Sequence, residues 1–293
     1  MGRRLAADHP AARETFEEAD DVLGMPLSRL CFEGPEEMLV RTENAQPAIL
    51  AASIAGYRAA ARAIDVRPSW LAGHSLGEYS ALVVAGALDF GDALRLVRLR
   101  GRLMQSAVPE GVGAMAAIIG LADDVAADLC ARAGAGEEVV EPANFNGAGQ
   151  IVIAGHRAAV ARAVAAARDL GARTIPLAVS APFHCRLMRP AAAGLEEALR
   201  EIRIGPLAQP VVANVDAAPN DDAGRVPSLL VAQVTAPVRW VQSMATLADL
   251  GCVRAFEIGP GQVLTRLLQR MRLGIEASAA GEGEGWAALA SVA

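Results

Sequence analysis

The sequence predicts an α/β protein built from two units, and three features of the 293-residue chain support this. A short apolar stretch, Val66 to Ala72, leads into a glycine-bounded turn at residues 73–77 and then into a helical pattern. The middle of the chain, from about Gly111 to Ser180, predicts the element order β-α-β-β-α-β. After this middle segment, a mixture of helices and strands is predicted again. That middle order is typical of a ferredoxin-like subdomain, here inserted into a larger unit.

The predicted boundaries place residues 1–111 and 181–293 in the larger unit and residues 112–180 in the inserted subdomain. Within the insert, Asn146-Gly147 is a strong signal for a hairpin turn between two strands. The elements predicted for the insert are a strand at Gly113–Ile119, a helix at Asp123–Ala133, strands at Glu138–Phe145 and Gln150–Ala154, a helix at Arg157–Leu170 and a strand at Arg173–Val179.

Helical spacing and short apolar runs predict the elements of the larger unit. The N-terminal helix is expected to turn Ala6, Ala7, Ala11, Phe16 and Ala19 inward, and the tail from Gly281 to be mobile. The predicted helices cover residues 3–23, 46–64, 78–87, 90–105 and 190–202, two further ones lie around Leu229 and Trp240, another follows residue 261, and strands are predicted at Pro210–Asn214 and Ala255–Ile258.

Composition excludes several classes of function. Hydrophobic residues make up 53% of the chain and charged residues 20%, which is typical of a globular protein. The net charge of −6 argues against a nucleic-acid partner, and no apolar run approaches the roughly 20 residues of a membrane helix. The four cysteines are scattered without metal-type spacing, so we expect free thiols, a reducing cytoplasm and no metal site. A monomer is expected.

The strongest chemical signal is Gly73-His74-Ser75-Leu76-Gly77, a Gly-x-Ser-x-Gly pattern between a predicted strand and a predicted helix. Such a nucleophile elbow lifts the serine hydroxyl out of a sharp turn. The N–H groups that begin the next helix favour a developing oxyanion at the same place. The alternative is an ordinary glycine-bounded turn.

A serine nucleophile needs a base, and the chain offers four histidines. His9 is predicted to be solvated in the N-terminal helix, His74 is constrained by the elbow, and His156 is predicted to begin a surface helix. His184 lies in a loop after the insert, where it could face a cleft between the two units. His184 is therefore the favoured base, with a structural capping role as the alternative.

Arg100 stands out by its position on the predicted helix 90–105. It shares a face with Val97, Gly101 and Met104, whereas the other arginines of this helix point elsewhere. An arginine on an inward face usually has an anionic partner, because burying it unpaired is costly, and its fork suits a carboxylate. That partner could be a substrate or a carboxylate of the protein.

Together these motifs resemble the malonyl-CoA:acyl carrier protein transacylase family over nearly the whole chain. The residues that carry the resemblance are Gly73-His74-Ser75-Leu76-Gly77-Glu78-Tyr79, Arg100, Gly113-Ala114-Met115-Ala116, Asn144-Phe145-Asn146, Pro182-Phe183-His184 and Glu257-Ile258-Gly259-Pro260-Gly261. The resemblance implies an α/β-hydrolase-like large domain with a parallel sheet and an inserted ferredoxin-like subdomain.

The resemblance also implies roles for individual residues. Ser75 would be the nucleophile and His184 its base, while Arg100 would hold the free carboxylate of a malonyl group. Gln46 would line the site. The backbone carbonyl of Gln233 would orient the histidine in place of a triad acid.

The implied reaction is ping-pong transfer of malonyl from coenzyme A to the phosphopantetheine thiol of an acyl carrier protein, with no cofactor. The backbone N–H of Leu76 would serve the oxyanion hole, and Phe183 is the residue type of malonyl-selective members. Family members begin with a strand and a Gly-Gln-Gly-Ser-Gln loop that supplies a second oxyanion donor. The sequence as given begins after that loop, so a sheet without its first strand and half an oxyanion hole are expected.

Four functions stay open at this point. They are a malonyltransferase of fatty-acid synthesis, a free-standing acyltransferase of polyketide assembly, a serine hydrolase that releases acyl groups from carrier proteins, and a non-catalytic module that binds a carrier protein. Arg100 separates the hydrolase from the transferases, because neutral acyl chains have no use for a buried arginine.

Overall fold

The computed structural model describes residues 1–64, 68–179, 181–281, 286 and 289 as a mixed α/β protein. The helices of this part of the chain are α1 (Arg3–Asp8), α2 (Pro10–Leu23), α3 (Leu27–Glu33), α4 (Glu36–Leu39), α5 (Thr42–Ala63), α6 (Leu76–Val84), α7 (Phe90–Ser106), α8 (Asp123–Ala133), α9 (Arg157–Asp169), α10 (Arg189–Arg200), α11 (Val226–Thr235), α12 (Trp240–Asp249) and α13 (Val263–Met271). The strands are β1 (Leu71–Ala72), β2 (Gly113–Ile119), β3 (Val140–Gly147), β4 (Gln150–His156), β5 (Arg173–Pro176), β6 (Val211–Val212), β7 (Pro219–Asn220), β8 (Arg254–Glu257) and β9 (Glu276–Ala279).

Helix α5 packs against α2, α6 and α7. Its small side chains, such as Ala48, Ala51 and Ala55, are fully buried and allow neighbouring helices to approach closely. Gly101 of α7 shows how close: a Cβ there would lie 2.6 Å from the carbonyl oxygen of Thr42. No helix among the described residues is long and apolar enough to span a membrane.

Two small sheets with parallel pairs accompany these helices. Strand β1 pairs in parallel with β6, which pairs antiparallel with β7, and β8 pairs in parallel with β9. Parallel neighbours place their carboxyl ends at the same edge, so the residues that follow β1 and β6 meet there. The predicted strands at Val66–Ala72 and Pro210–Asn214 are much shorter in the structure, although residues 66 and 67 lie outside the described residues.

Strands from the middle of the chain form a separate four-stranded antiparallel sheet in the order β3-β4-β2-β5. Helices α8 and α9 cover it and enclose a core of their own that includes Ile118, Ile151 and Ile153. The element order agrees with the β-α-β-β-α-β prediction. The small sheet is joined to the larger unit where Val238 forms a parallel bridge with Asn144 of β3.

Several predicted details are wrong. The N-terminal helix is broken at His9 because Pro10 begins a second helix, and Ala7 is exposed instead of facing inward. Helix α5 begins at Thr42, so Pro47 lies within it. The hairpin turn lies two residues beyond Asn146-Gly147, at Ala148-Gly149, whose φ angles of 51° and 71° suit a type I′ turn.

Other differences concern what the predictions omitted. Helices α3 and α4 occupy the predicted connection after residue 23, and strands β7 and β9 were not predicted. Residue 180, at the predicted domain boundary, and most of the tail from Gly281 lie outside the described residues.

Candidate active site

Ser75 lies in a sharp turn between β1 and α6. Its backbone angles, φ 51° and ψ −104°, are strained for a residue with a side chain, as expected of a nucleophile elbow. Gly73 permits the turn, because a Cβ at that position would lie 2.0 Å from the carbonyl carbon of Gly77. Leu76 is the first residue of α6, so its N–H belongs to the helix N-terminus beside the serine.

Asn214, which follows the neighbouring strand β6, holds this strained turn. Its Oδ1 accepts a hydrogen bond from the backbone N–H of Ser75 at 2.7 Å, and its Nδ2 donates to the Gly73 carbonyl at 2.8 Å. The backbone N–H of Asn214 donates to Glu78 Oε2 at 3.0 Å. The sequence prediction missed Asn214, although a polar residue after a strand parallel to β1 is a recognisable signal.

The imidazole of His184 faces the serine hydroxyl. Ser75 Oγ lies 2.7 Å from His184 Nε2, and His184 Nδ1 lies 2.9 Å from the carbonyl oxygen of Gln233. Because a carbonyl only accepts, Nδ1 carries the proton and Nε2 is free to accept one from Ser75. Burial, together with the positive charge of Arg100, lowers the pKa of His184 to about 3. The imidazole is therefore neutral and available as a base at ordinary pH.

Arg100 is buried beside these two residues, with 2% of its surface exposed. Its Nη1 donates to Gln46 Oε1 at 2.7 Å, and its Nη2 donates to Gln233 Oε1 at 2.9 Å and to Ser75 Oγ at 3.2 Å. All three acceptors are neutral, and its Nε has no hydrogen-bond partner among the described residues. Burial lowers the pKa of this guanidinium. No carboxylate of the described residues contacts this buried cation, and its Nη2 points at the Ser75 hydroxyl.

The carboxyl group of Glu78 lies on the far side of Gln233 from Arg100. Gln233 Nε2 donates to Glu78 Oε2 and to the Ser75 carbonyl, both at 2.9 Å, while its Oε1 faces Arg100. The Gln233 amide therefore separates the guanidinium from the buried Glu78. Burial raises the pKa of Glu78 to about 7, against the hydrogen bonds from Gln233 and Asn214 that lower it.

The other histidines have structural partners. His74 Nε2 donates to Asn146 Oδ1 of the small sheet at 2.9 Å, and its ring lies 5.5 Å from that of Trp240. His156 ends β4 and accepts from the Val139 N–H at 3.0 Å. His9 separates α1 and α2 and is half-buried, so the prediction of a solvated residue within one helix is wrong.

The neighbours of His184 in the chain are apolar or inert. Phe183 is partly buried and packs against the cores of both units. Cys185 is fully buried and its Sγ donates to the Pro182 carbonyl at 3.1 Å. Burial raises the pKa of the Cys185 thiol to about 12.

The structure thus brings together Ser75, His184, Arg100, Gln46 and Gln233, with Leu76 adjacent. A strained serine, a neutral histidine and a carbonyl that orients the histidine form an arrangement that is chemically suited to acyl transfer through a serine. The acyl transferase domain family model matches residues 1–277, and the chain belongs to this family.

The names of curated relatives and of solved structures are more specific than the name of the family. The chain is 48% identical to a malonyl CoA-acyl carrier protein transacylase of Escherichia coli over 285 residues, which cover 97% of this chain and 92% of that protein. A protein of the same name from Bacillus subtilis is 42% identical, with coverage of 97% and 90%.

Among solved structures, the chain is similar to the malonyl CoA-acyl carrier protein transacylase of Coxiella burnetii, with a TM-score of 0.97, 39% identity and coverage of 99% and 92%. A structure described as a type II PKS acyl-carrier protein in complex with its malonyl-transacylase also matches. Its TM-score is 0.97 at 46% identity, and the match covers 100% of this chain and 95% of that chain.

Proposed function

We propose that this protein transfers a malonyl group from malonyl-CoA to the phosphopantetheine thiol of an acyl carrier protein, through a malonyl ester on Ser75. The observation that carries the proposal is Arg100, a buried guanidinium 3.2 Å from the Ser75 hydroxyl whose hydrogen bonds all go to neutral groups. A cation in that position selects an acyl group with a free carboxylate. The names of the relatives agree with this specificity.

In the first half-reaction, His184 Nε2 takes the proton of Ser75 as Oγ attacks the thioester carbon of malonyl-CoA. The carbonyl becomes an oxyanion near the start of α6, where the Leu76 N–H is the proposed donor. The carbon–sulfur bond then breaks, and coenzyme A leaves as the thiol with the proton from His184. The malonyl ester of Ser75 remains.

In the second half-reaction, the carrier-protein thiol gives its proton to His184 and attacks the ester carbon. The bond to Oγ breaks, and Ser75 recovers its proton from His184. Each half exchanges one ester or thioester for another, so we propose that no cofactor takes part. The Gln233 carbonyl holds the imidazole in the tautomer that both halves require.

Gln46 and Gln233 prepare Arg100 for a carboxylate. Their amide oxygens hold the two terminal nitrogens, and no carboxylate in the described part of the chain contacts the guanidinium. A hydrolase of neutral acyl chains would bury this charge without benefit, at a considerable desolvation cost. Arg100 therefore favours the transferase over the hydrolase.

The test is a competition between malonyl-CoA and acetyl-CoA, read as the mass added to the intact protein. Arg100→Ala is expected to reverse the preference from malonyl to acetyl, with the malonyl ester formed at least about 100-fold more slowly, because a buried charge pair is lost. Arg102→Ala is the matched control, since Arg102 lies on the same helix, is exposed and pairs with Glu43. Unchanged selectivity in Arg100→Ala would remove the carboxylate role.

A second variant tests the nucleophile. Ser75→Ala is expected to abolish the mass increase with both thioesters, and peptide mapping of the wild type should place the ester on Ser75. Labelling at another residue would overturn the mechanism.

We further propose that the pathway is fatty-acid biosynthesis in the cytoplasm. The four free cysteines support a reducing compartment. The similarity to the malonyl-transacylase solved with a type II PKS carrier protein favours polyketide assembly as the second candidate. Rates of malonyl transfer to purified carrier proteins of each pathway, measured side by side, separate the two.

A finer description of the fold is also proposed. The larger unit, residues 1–111 and 181–293, is α/β-hydrolase-like, and residues 112–180 form a ferredoxin-like subdomain. The strand-turn-helix of β1 and α6 and the parallel β1–β6 pair support the first assignment. The separate antiparallel sheet with its own core supports the second.

A further inference from the structure

The partner of His184 Nδ1 is a main-chain carbonyl in the last turn of a helix. Helix α11 ends at Thr235, and Gln233 lies two residues before that end. A helical carbonyl normally accepts from the N–H four residues later. For Gln233 that residue is Pro237, which has no N–H. No amide at position 237 can therefore compete with the imidazole for this carbonyl.

Pro237 also bears on the path of the chain. A proline disfavours helical geometry in the residue before it, and Ala236 is extended, with φ −108° and ψ 155°. The Ala236 N–H still closes the final turn on the Ala232 carbonyl at 3.0 Å. The helix thus ends two residues before the proline, with the Gln233 carbonyl turned to His184.

The residue after the proline is anchored elsewhere. The Val238 N–H donates to the Ala143 carbonyl, and the Val238 carbonyl accepts from the Phe145 N–H, both at 2.9 Å. The chain therefore leaves α11 and joins the edge of the small sheet within three residues. This path keeps the negative end of the α11 dipole beside the imidazole, where it favours the imidazolium that forms during proton transfer.

We propose that Pro237 is a positioning residue of the acyl-transfer site, which keeps the Gln233 carbonyl available to His184 by ending α11 without an amide at position 237. This inference rests on the proposed function of Ser75 and His184. In a triad that contains an acid, an aspartate orients the histidine. In this proposal a helix end created by a proline orients it instead.

The test compares Pro237→Ala with Pro237→Gly in the full chain. Both restore the N–H, but alanine favours continuation of the helix more than glycine does. The rate of Ser75 malonylation at pH 7 is expected to fall roughly tenfold in Pro237→Ala and less in Pro237→Gly, with KM for malonyl-CoA unchanged, since the loss acts on the base. Pro227→Ala is the matched control, because Pro227 is at the start of the same helix, where an N–H has no helical partner.

Nitrogen-15 NMR of the histidine rings gives a second readout that a purely structural role would not move. The wild type should show His184 protonated at Nδ1, and Pro237→Ala should increase the Nε2-protonated form. An unchanged tautomer and rate in both variants would overturn the proposal, as would a larger rate loss in Pro237→Gly than in Pro237→Ala. If the wild type itself formed no ester on Ser75, the proposed function would fail instead.

Discussion

The buried carboxyl of Glu78 makes the stability of this protein depend on pH in a way that one substitution isolates. Its side chain is 3% exposed, and burial raises its pKa from 4.5 to about 7. The folded state therefore binds this proton more tightly than the unfolded chain does. Stability from this group is complete below pH 4.5 and is lost as the pH rises through 7. The size of the pKa change corresponds to about 3 kcal/mol.

Glu78→Gln removes the ionisation while keeping an oxygen that can accept from Gln233 Nε2 and the Asn214 N–H. The free energy of unfolding of the variant, minus that of the wild type, should rise by about 3 kcal/mol between pH 4.5 and 8. Urea unfolding of both proteins across this range measures it, and Glu197→Gln on the exposed face of α10 is the control. A difference that stays constant with pH would refute the reasoning.

Three further outcomes are expected. Gly73→Ala should cost at least about 2 kcal/mol of stability in urea unfolding, because its Cβ would lie 2.0 Å from Gly77. The control Gly77→Ala places its Cβ in open space and should be neutral or stabilising. Because the pKa of His184 is lowered from 6.5 to about 3, the rate of Ser75 acylation should stay constant from pH 8 to 5. Quenched-flow measurements test this, and a rate that falls as the pH drops through 6 to 7 would contradict it. The stability from a neutral His184 is present above pH 6.5 and is lost as the pH falls toward 3. Gly101→Ala should cost about 1–3 kcal/mol of stability, because α7 must move away from Thr42. Arg100 moves with α7, so the selectivity for malonyl should also fall. A selectivity equal to that of the wild type would argue against this link between the helix position and Arg100.

Sequence periodicity and motif context predicted the parts of the site that depend on local structure. The elbow at Ser75 follows from glycine spacing between a strand and a helix, and the burial of Arg100 follows from its face on α7. The choice of His184 among four histidines came from its position in the chain, and its ring does lie 2.7 Å from the serine hydroxyl. The chemical roles of these residues stay predictions until variants are measured.

The sequence could not predict contacts made between distant segments. Asn214 supports the elbow across 139 positions, and the side chain of Gln233 separates Arg100 from Glu78, neither of which leaves a periodic signal. Strand β9 escaped prediction because Glu276–Ala279 is only four residues long and contains no β-branched or aromatic residue. The shift of the hairpin turn to Ala148-Gly149 reflects register, which pairing across the whole β3–β4 ladder determines.

The thiol next to His184 has a consequence for the chemistry of thioesters. An enzyme that opens acyl-thioester bonds beside one of its own cysteines risks acyl migration to that sulfur. Cys185 is kept from this exchange because it is fully buried and its pKa of about 12 leaves almost no thiolate at neutral pH. The Ser75 hydroxyl, the proposed acyl acceptor, therefore meets no competition from this sulfur, and alkylating reagents aimed at thiols should leave Cys185 untouched.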